Sequence, residues 1–216
     1  AKEIIWIGTH LGGLNKLDIR TGTFTHYLME EGNPETLPSN IVRDIAPYQD
    51  QLIVATQNGV CLFNPQTGKC QQLFKDSKEG RKIAMVADVE VDNSGTLWIA
   101  ATGEGIFSYR FDTNKLTNYR HDGTQAHSLS NNNVNNIMQD SKGNLWFSTS
   151  GSGLDLYRSA TNDFENFDKG KNGLVSDCIY DTQESPVSGK LILITNQGFS
   201  IFDQKVEKFQ NYSVEN

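Results

Sequence analysis

The chain copies itself about every 46 residues. The segment Trp6-Ile7-Gly8-Thr9 returns as Ile53-Val54-Ala55-Thr56, Trp98-Ile99-Ala100-Ala101, Trp146-Phe147-Ser148-Thr149 and Ile192-Leu193-Ile194-Thr195, at spacings of 47, 45, 48 and 46. A few residues after each anchor stands a glycine followed by an apolar residue: Gly13-Leu14, Gly59-Val60, Gly105-Ile106, Gly153-Leu154 and Gly198-Phe199. A turn follows, usually Thr then Gly or Asn, and beyond it an apolar pair such as Phe24 and Tyr27 or Phe164 and Phe167. Upstream of the anchors lies a further apolar segment, as in Ile41-Val42-Arg43-Asp44-Ile45 and Asn133-Val134-Asn135-Asn136-Ile137. Each full copy therefore reads as four short strands joined by turns, the size and strand count of a propeller blade.

One four-stranded sheet has two faces and cannot bury both alone; stacked sheets bury each face against a neighbour. The expected fold is an all-β propeller with about five blade repeats, at approximately 4–28, 37–75, 81–120, 129–168 and 174–212. The first copy lacks its inner strand, so the pattern predicts 19 strands. The anchor Trp or Ile fills the space between blades, and the glycine lets the backbone turn sharply into the third strand. No long segment has the 3.6-residue period of a helix; Met85 to Val91 is a strand by its equivalence to Val134–Ile137.

Composition narrows the function classes. The 216 residues include 19 Lys and Arg against 26 Asp and Glu, a net charge of -7, with no clustered basic stripe. That balance disfavours nucleic acid as a partner. No apolar run approaches the ~20 residues of a membrane helix, and the chain enters its first strand with no secretion signal before it. No phosphate-binding glycine loop occurs. Ser150-Gly151-Ser152-Gly153 superficially suggests a nucleophile elbow, but no helix follows it. His121 and His127 share a polar loop with Asp122 and read as solvated rather than as ligands. Arg81 and Lys82, in a basic loop, offer contacts to an acidic sugar but read first as a solvated turn. No cofactor, metal or catalytic residue is expected.

The cysteines are Cys61, Cys70 and Cys178, an odd count that excludes a disulfide framework. A hairpin around Asn64–Lys69 sets Phe63 opposite Cys70 and Cys61 opposite Gln72. The two sulfurs are then offset and poorly aimed, so no disulfide is expected, and the thiols act as small hydrophobes.

The composite Leu-Pro-Ser-Asn-x-Val, Asp-x-x-Gly-x-Leu-Trp-Ile-Gly-Thr, Gly-Leu, Thr-Gly and Phe-x-x-Tyr resembles the two-component regulator propeller repeat. It is clearest over Ser128 to Phe167 and Ile4 to Tyr27, and five copies in register cover nearly the whole chain. The resemblance implies the periplasmic sensor region of a Bacteroides-type hybrid histidine kinase. In that family two seven-bladed propellers precede an immunoglobulin-like domain, a membrane helix and the kinase, and polysaccharide breakdown products switch on utilisation genes. The chain is therefore expected to be a non-catalytic fragment of a longer sensor. Its expected partners are an oligosaccharide or polysaccharide fragment, the other propeller blades and, where fragment edges meet, a second copy as a homodimer; forced five-blade closure is the alternative. A carbohydrate-active enzyme on a five-bladed propeller and a protein-interaction scaffold are the competing readings.

Candidate ligand residues come from alignment of the copies. Two positions past the inner-strand apolar residue stand Asp44, Asp88, Asn136 and Asp181, one per full copy. Rotation of blades about an axis turns equivalent positions into a ring, which suits a cation or sugar hydroxyls. The competing reading gives these polar groups to backbone or neighbour-blade hydrogen bonds. One position earlier the copies differ, at Arg43, Ala87, Asn135 and Tyr180, and varied positions on a repeated scaffold are where specificity is built. The ligand candidates are thus Arg43, Asp44, Asp88, Asn135, Asn136, Tyr180 and Asp181.

Overall fold

The computed structural model describes residues 3–213, and the chain divides into two compact units, Ala1–Val91 and Asp92–Asn216. The first unit holds a three-stranded antiparallel sheet, β1 (Ile4–Gly8), β2 (Leu14–Asp18) and β3 (Thr23–Tyr27), in sequential order. A four-stranded sheet follows: β4 (Val42–Tyr48), β5 (Gln51–Thr56), β6 (Gly59–Phe63) and β7 (Cys70–Gln72). The third repeat is divided, with β8 (Val86–Val91) in the first unit and β9 (Thr96–Ala101), β10 (Gly105–Arg110) and β11 (Lys115–Tyr119) in the second. The second unit continues with β12 (Val134–Gln139), β13 (Leu145–Thr149), β14 (Leu154–Arg158) and β15 (Asp163–Phe167). Its last sheet is β16 (Ile179–Glu184), β17 (Leu191–Thr195), β18 (Gly198–Asp203) and β19 (Lys208–Tyr212). These are five blade repeats of a β-propeller, the first without an inner strand, and 19 strands lie among the described residues. One helical turn, α1 (Lys169–Asn172), is capped by the Asp168 carboxylate accepting from Lys171 N–H. Among the described residues no helix is long and apolar enough to cross a membrane.

The repeated residues repeat their contacts. Each anchor Trp packs on the following sheet: Trp6 lies edge-on to Phe63, Trp98 contacts Phe147 and Tyr157, and Trp146 contacts Phe202. The anchor Thr hydroxyl closes the next turn. Thr9, Thr56, Thr149 and Thr195 each donate to the carbonyl of the following glycine (Gly13, Gly59, Gly153, Gly198) at 2.8–2.9 Å. At Gly153 φ is +82°, and a Cβ would stand 2.1 Å from the Phe167 carbonyl oxygen at the end of the outer strand. Glycine is the residue that meets both conditions.

The Leu-x-x-Asn motif ahead of each inner strand ties one blade to the one before it. Leu37, Leu129 and Leu174 are fully buried core residues. Three residues on, the carbonyls of Asn40, Asn132 and Asp177 accept from Gly13, Gly105 and Gly153 N–H at 2.9–3.0 Å. Their side chains accept from Met29, His121 and Lys169 N–H, just past the preceding outer strand, at 2.6–2.8 Å. A short polar side chain is required, because these amides leave the sheet ladder and need an acceptor elsewhere.

The slot two residues past the hairpin turn is less uniform than its sequence pattern. Cys70 and Phe164 are buried there, whereas Phe24 is half exposed and Val206 more so. The β6–β7 register is the expected one, Phe63 opposite Cys70 and Cys61 opposite Gln72. The sulfurs are nevertheless not offset: Cys61 Sγ and Cys70 Sγ lie 3.2 Å apart, both buried. Strand twist shortens one diagonal of each antiparallel rectangle, and the cysteines occupy that diagonal on one face.

Candidate functional site

The candidate residues all lie on the inner strands. In the first unit Asp44 is half-buried on β4, and its Oδ2 accepts from Val89 N–H of β8 at 3.2 Å. Asp88 is half-buried on β8 and is itself engaged with a neighbour. Arg43 is exposed and, among the described residues, makes neither an ion pair nor a side-chain hydrogen bond.

In the second unit the structure brings four candidates together on adjacent strands. Asn136 Oδ1 accepts from Thr182 N–H of β16 at 3.1 Å, the counterpart of the Asp44–Val89 bond. Asn135 Nδ2 donates to the Ile179 carbonyl at 2.7 Å while its Oδ1 accepts from the Ser150 hydroxyl at 2.8 Å. Asp181 accepts from Gln183 Nε2 at 3.3 Å, and Tyr180 is 55% exposed. The repeated position therefore stitches inner strands together at Asp44 and Asn136, with one oxygen accepting an amide of the next strand.

The varied position has a structural cause that the sequence does not announce. The inner-strand register shifts between Val42 and Asp44, between Val134 and Asn136, and between Ile179 and Asp181. Arg43, Asn135 and Tyr180 are thus the extra residues of three equivalent β-bulges. A bulge frees a side chain from the alternation of the strand and re-aims it. It lets one position carry a cation, an amide and a phenol on a constant backbone.

Two further features lie outside the candidate residues. The first is an Asp-to-indole bond in the turn before the anchor Trp. Asp92 Oδ2 accepts from Trp98 Nε1 at 2.8 Å, and Asp140 Oδ2 from Trp146 Nε1 at 3.0 Å. Burial by itself pushes the Asp140 carboxyl up. The indole, the Asn144 side chain and two backbone amides outweigh it and hold the group below the usual carboxylate range. The recurrence of Asp six residues before Trp was the available signal.

The second is Asp155, fully buried on β14. Its Oδ2 accepts from Ser130 N–H at 3.0 Å and from the Ser130 hydroxyl at 2.7 Å; its Oδ1 accepts from Asn166 Nδ2 at 3.1 Å. Desolvation prevails over these bonds, and the carboxyl is pushed up to about 6. The equivalent residues of the other copies are Asn15, Cys61, Phe107 and Ser200, so no repeat pattern marks the site.

Two clefts are lined by none of the candidate residues. One, of about 650 Å³ in the first unit, has a floor of Leu37, Val60 and Ile83 and carries Lys75 and Arg81 at its wall. Lys82 is instead paired with Glu79 at 2.7 Å. The other, of about 520 Å³ in the second unit, presents Trp98, Tyr119 and Tyr157 with Arg110, Lys115 and Asn144. His121 Nδ1 is hydrogen-bonded to the Leu129 carbonyl at 2.9 Å. Among the described residues no group of three or more His, Cys, Asp or Glu is placed to hold a metal ion.

The family model of the SMP-30/Gluconolactonase/LRE-like region matches residues 1–124, more than half of the chain. The chain belongs to that family. The two component regulator propeller model matches residues 128–151, the fourth copy, where the sequence motif is clearest. Among solved structures, the extracellular domain of a putative hybrid two component system from B. thetaiotaomicron superposes with a TM-score of 0.83. The match has 23% identity and covers 99% of this chain but 27% of that one. Virginiamycin B lyase from Staphylococcus aureus matches at a TM-score of 0.72 and 12% identity, over 100% of this chain and 68% of the lyase. PorZ, a surface component of the type-IX secretion system of Porphyromonas gingivalis, matches at 0.52 and 14%, covering 93% of this chain and 37% of PorZ. At these identities the likeness is one of fold. The chain thus spans about a quarter of the length of the sensor domain it matches. No curated protein sequence is significantly similar to it.

Proposed function

We propose that the chain is part of the extracytoplasmic, ligand-sensing propeller region of a hybrid two-component histidine kinase, without catalytic activity of its own. The observation that carries this reading is the fold match over 99% of the chain to an extracellular domain of that class, joined to the regulator repeat at 128–151. The ligand is an oligosaccharide or polysaccharide fragment, met by the bulged inner-strand positions. In the first unit Arg43 offers an unpaired cation; in the second, Tyr180 offers an exposed phenol and Asn135 an amide. Arg43 suits a carboxylate or hydroxyl pair, and Tyr180 suits the apolar face of a pyranose. Asp44 and Asn136 tie adjacent inner strands together, and Asp88 and Asp181 at the same repeat position supply carboxylates to hydroxyls.

The test is binding of neutral and uronate-containing oligosaccharides to the purified protein by calorimetry. Arg43→Ala and Tyr180→Ala are the variants. The reading expects at least one sugar to bind and one variant to lose about tenfold in affinity. A sugar that binds both variants as tightly as the parent would refute the placement of the site. Turnover of a sugar or lactone by the parent would refute the non-catalytic reading in favour of an enzyme, the alternative that the lyase likeness keeps in view.

A further inference from the structure

The Cys61–Cys70 contact is a pair of buried groups that the proposed function does not use. Cys61 lies in the middle of β6 and Cys70 opens β7, a strand of three residues at the outer edge of its sheet. Their sulfurs touch at 3.2 Å on one face of the hairpin. The intervening turn is fixed on both sides: Asn64 N–H donates to the Lys69 carbonyl and Gly68 N–H to the Asn64 carbonyl, both at 2.9 Å. The Asn64 carboxamide also accepts from Gln66 and Thr67 N–H at 2.8 and 3.1 Å. A hairpin held this way keeps the thiols in contact rather than passing each other by chance.

We propose that Cys61 and Cys70 form a redox pair that closes to a disulfide, stapling β7 to β6. Closure draws the sulfurs roughly 1 Å together, from contact to the ~2.05 Å covalent length. The movement falls on β7, because it is the shortest strand of the sheet and Cys61 is held by β5 on its other side. A small-molecule disulfide such as oxidised glutathione serves as oxidant. Cys70, the less buried sulfur, reacts first: it gives up its proton, attacks one glutathione sulfur and expels one glutathione thiolate. Cys61 then attacks the Cys70 sulfur of the mixed disulfide and expels nothing but the second glutathione. Two thiol protons and two electrons pass from the protein to glutathione, and one S–S bond is exchanged for another. Contact with Cys70, and burial, push the Cys61 thiol well up, which fits it to the second step rather than the first. Cys178, on a separate inner segment, takes no part in the pair. The staple also restrains Gln72 and Leu73, which line the 650 Å³ cleft.

The presence of an oxidising compartment rests on the proposed function, but the pairing does not. The experiment therefore uses purified protein. The full chain is held in excess oxidised glutathione with mild urea to open the β7 edge, quenched in acid, unfolded, alkylated and weighed intact, then mapped by peptide digestion. The expected product has the peptides of Cys61 and Cys70 linked, with Cys178 carrying the single alkyl group or a single glutathione. The Cys178→Ser chain is expected to carry none after oxidation and two after reduction. Three alkylated cysteines, a persistent glutathione adduct on Cys70, or a link through Cys178 would each overturn the proposal. The same oxidation repeated on Cys70→Ser must leave Cys61 alkylated; loss of that alkylation would show that Cys61 is oxidised without Cys70 and would overturn the assigned order of attack.

Discussion

Replacement of Asp155 by asparagine is expected to make the protein more stable at neutral pH and to remove a pH dependence. The carboxyl is fully buried and is pushed up to about 6, against an ordinary value of ~3.9 in the unfolded chain. Below pH ~4 the group is neutral in both states, so its ionisation costs folding nothing. As pH rises through ~4 the unfolded carboxyl ionises freely, while the folded one resists until about 6. Stability is therefore lost across that window, by ~1.4 kcal/mol per pH unit at most and by roughly 3 kcal/mol in total over ~2 units. Asparagine never ionises. Its carbonyl keeps both bonds from Ser130, but its amide nitrogen meets Asn166 Nδ2, donor against donor, at a cost of about 1 kcal/mol. The net expectation is a variant about 1 kcal/mol less stable than the parent near pH 4 and about 2 kcal/mol more stable at pH 8. Urea unfolding followed by tryptophan fluorescence at several pH values reads this directly, because all other titrations cancel in the difference between the two proteins. A difference that stays flat from pH 4 to pH 8 would refute the argument that desolvation controls this carboxyl.

Other substitutions test the repeated contacts. Gly153→Ala places a methyl group 2.1 Å from the Phe167 carbonyl oxygen at a left-handed φ, and is expected to cost about 2–4 kcal/mol by urea midpoint. Gly22→Ala, at φ +69° with nothing within reach of its Cβ, should cost only about 1 kcal/mol, which separates conformational strain from collision. Thr149→Val keeps the shape of a fully buried side chain, but it leaves Ser152 N–H without the hydroxyl it donates to at 3.0 Å; a loss of about 1–3 kcal/mol is expected. Asn132→Ala strips the acceptor from His121 N–H, and hydrogen exchange at that amide should quicken at least tenfold while the β13–β14 amides stay protected. Asp140→Asn should lose stability most at neutral pH and converge on the parent as pH falls through the lowered value of the Asp140 carboxyl, since a depressed carboxylate stabilises the fold above that value.

Much of this molecule is legible in its letters because a repeat lets each copy check the others. The strand in Val86–Val91 has an ambiguous local pattern, yet its alignment with Val134–Ile137 settles it. The β6–β7 pairing follows from the length of the turn between Asn64 and Lys69. The anchor Trp, the turn glycine and the buried Leu of Leu-x-x-Asn are each assigned by recurrence, and their contacts recur with them. The candidate site was legible only in part. Alignment found the positions of Asp44, Asn136, Arg43 and Tyr180, but not that a bulge separates their roles. Nor did it show that an inner-strand amide already occupies one oxygen of Asp44 and of Asn136.

What the sequence by itself determined is the repeat unit, its strand count and the register of its hairpins, because those depend on local spacing and turn chemistry. The partners of single polar groups belong to the tertiary structure. Asp155 stands where other copies have Asn, Cys, Phe and Ser, so only the packing of Ser130 and Asn166 around it makes it a buried carboxyl with a raised pKa. The two cysteines are nine residues apart in any reading, and the expected register alone leaves their sulfurs offset. It is the twist of the sheet, a property of strands packed together, that turns that diagonal into contact.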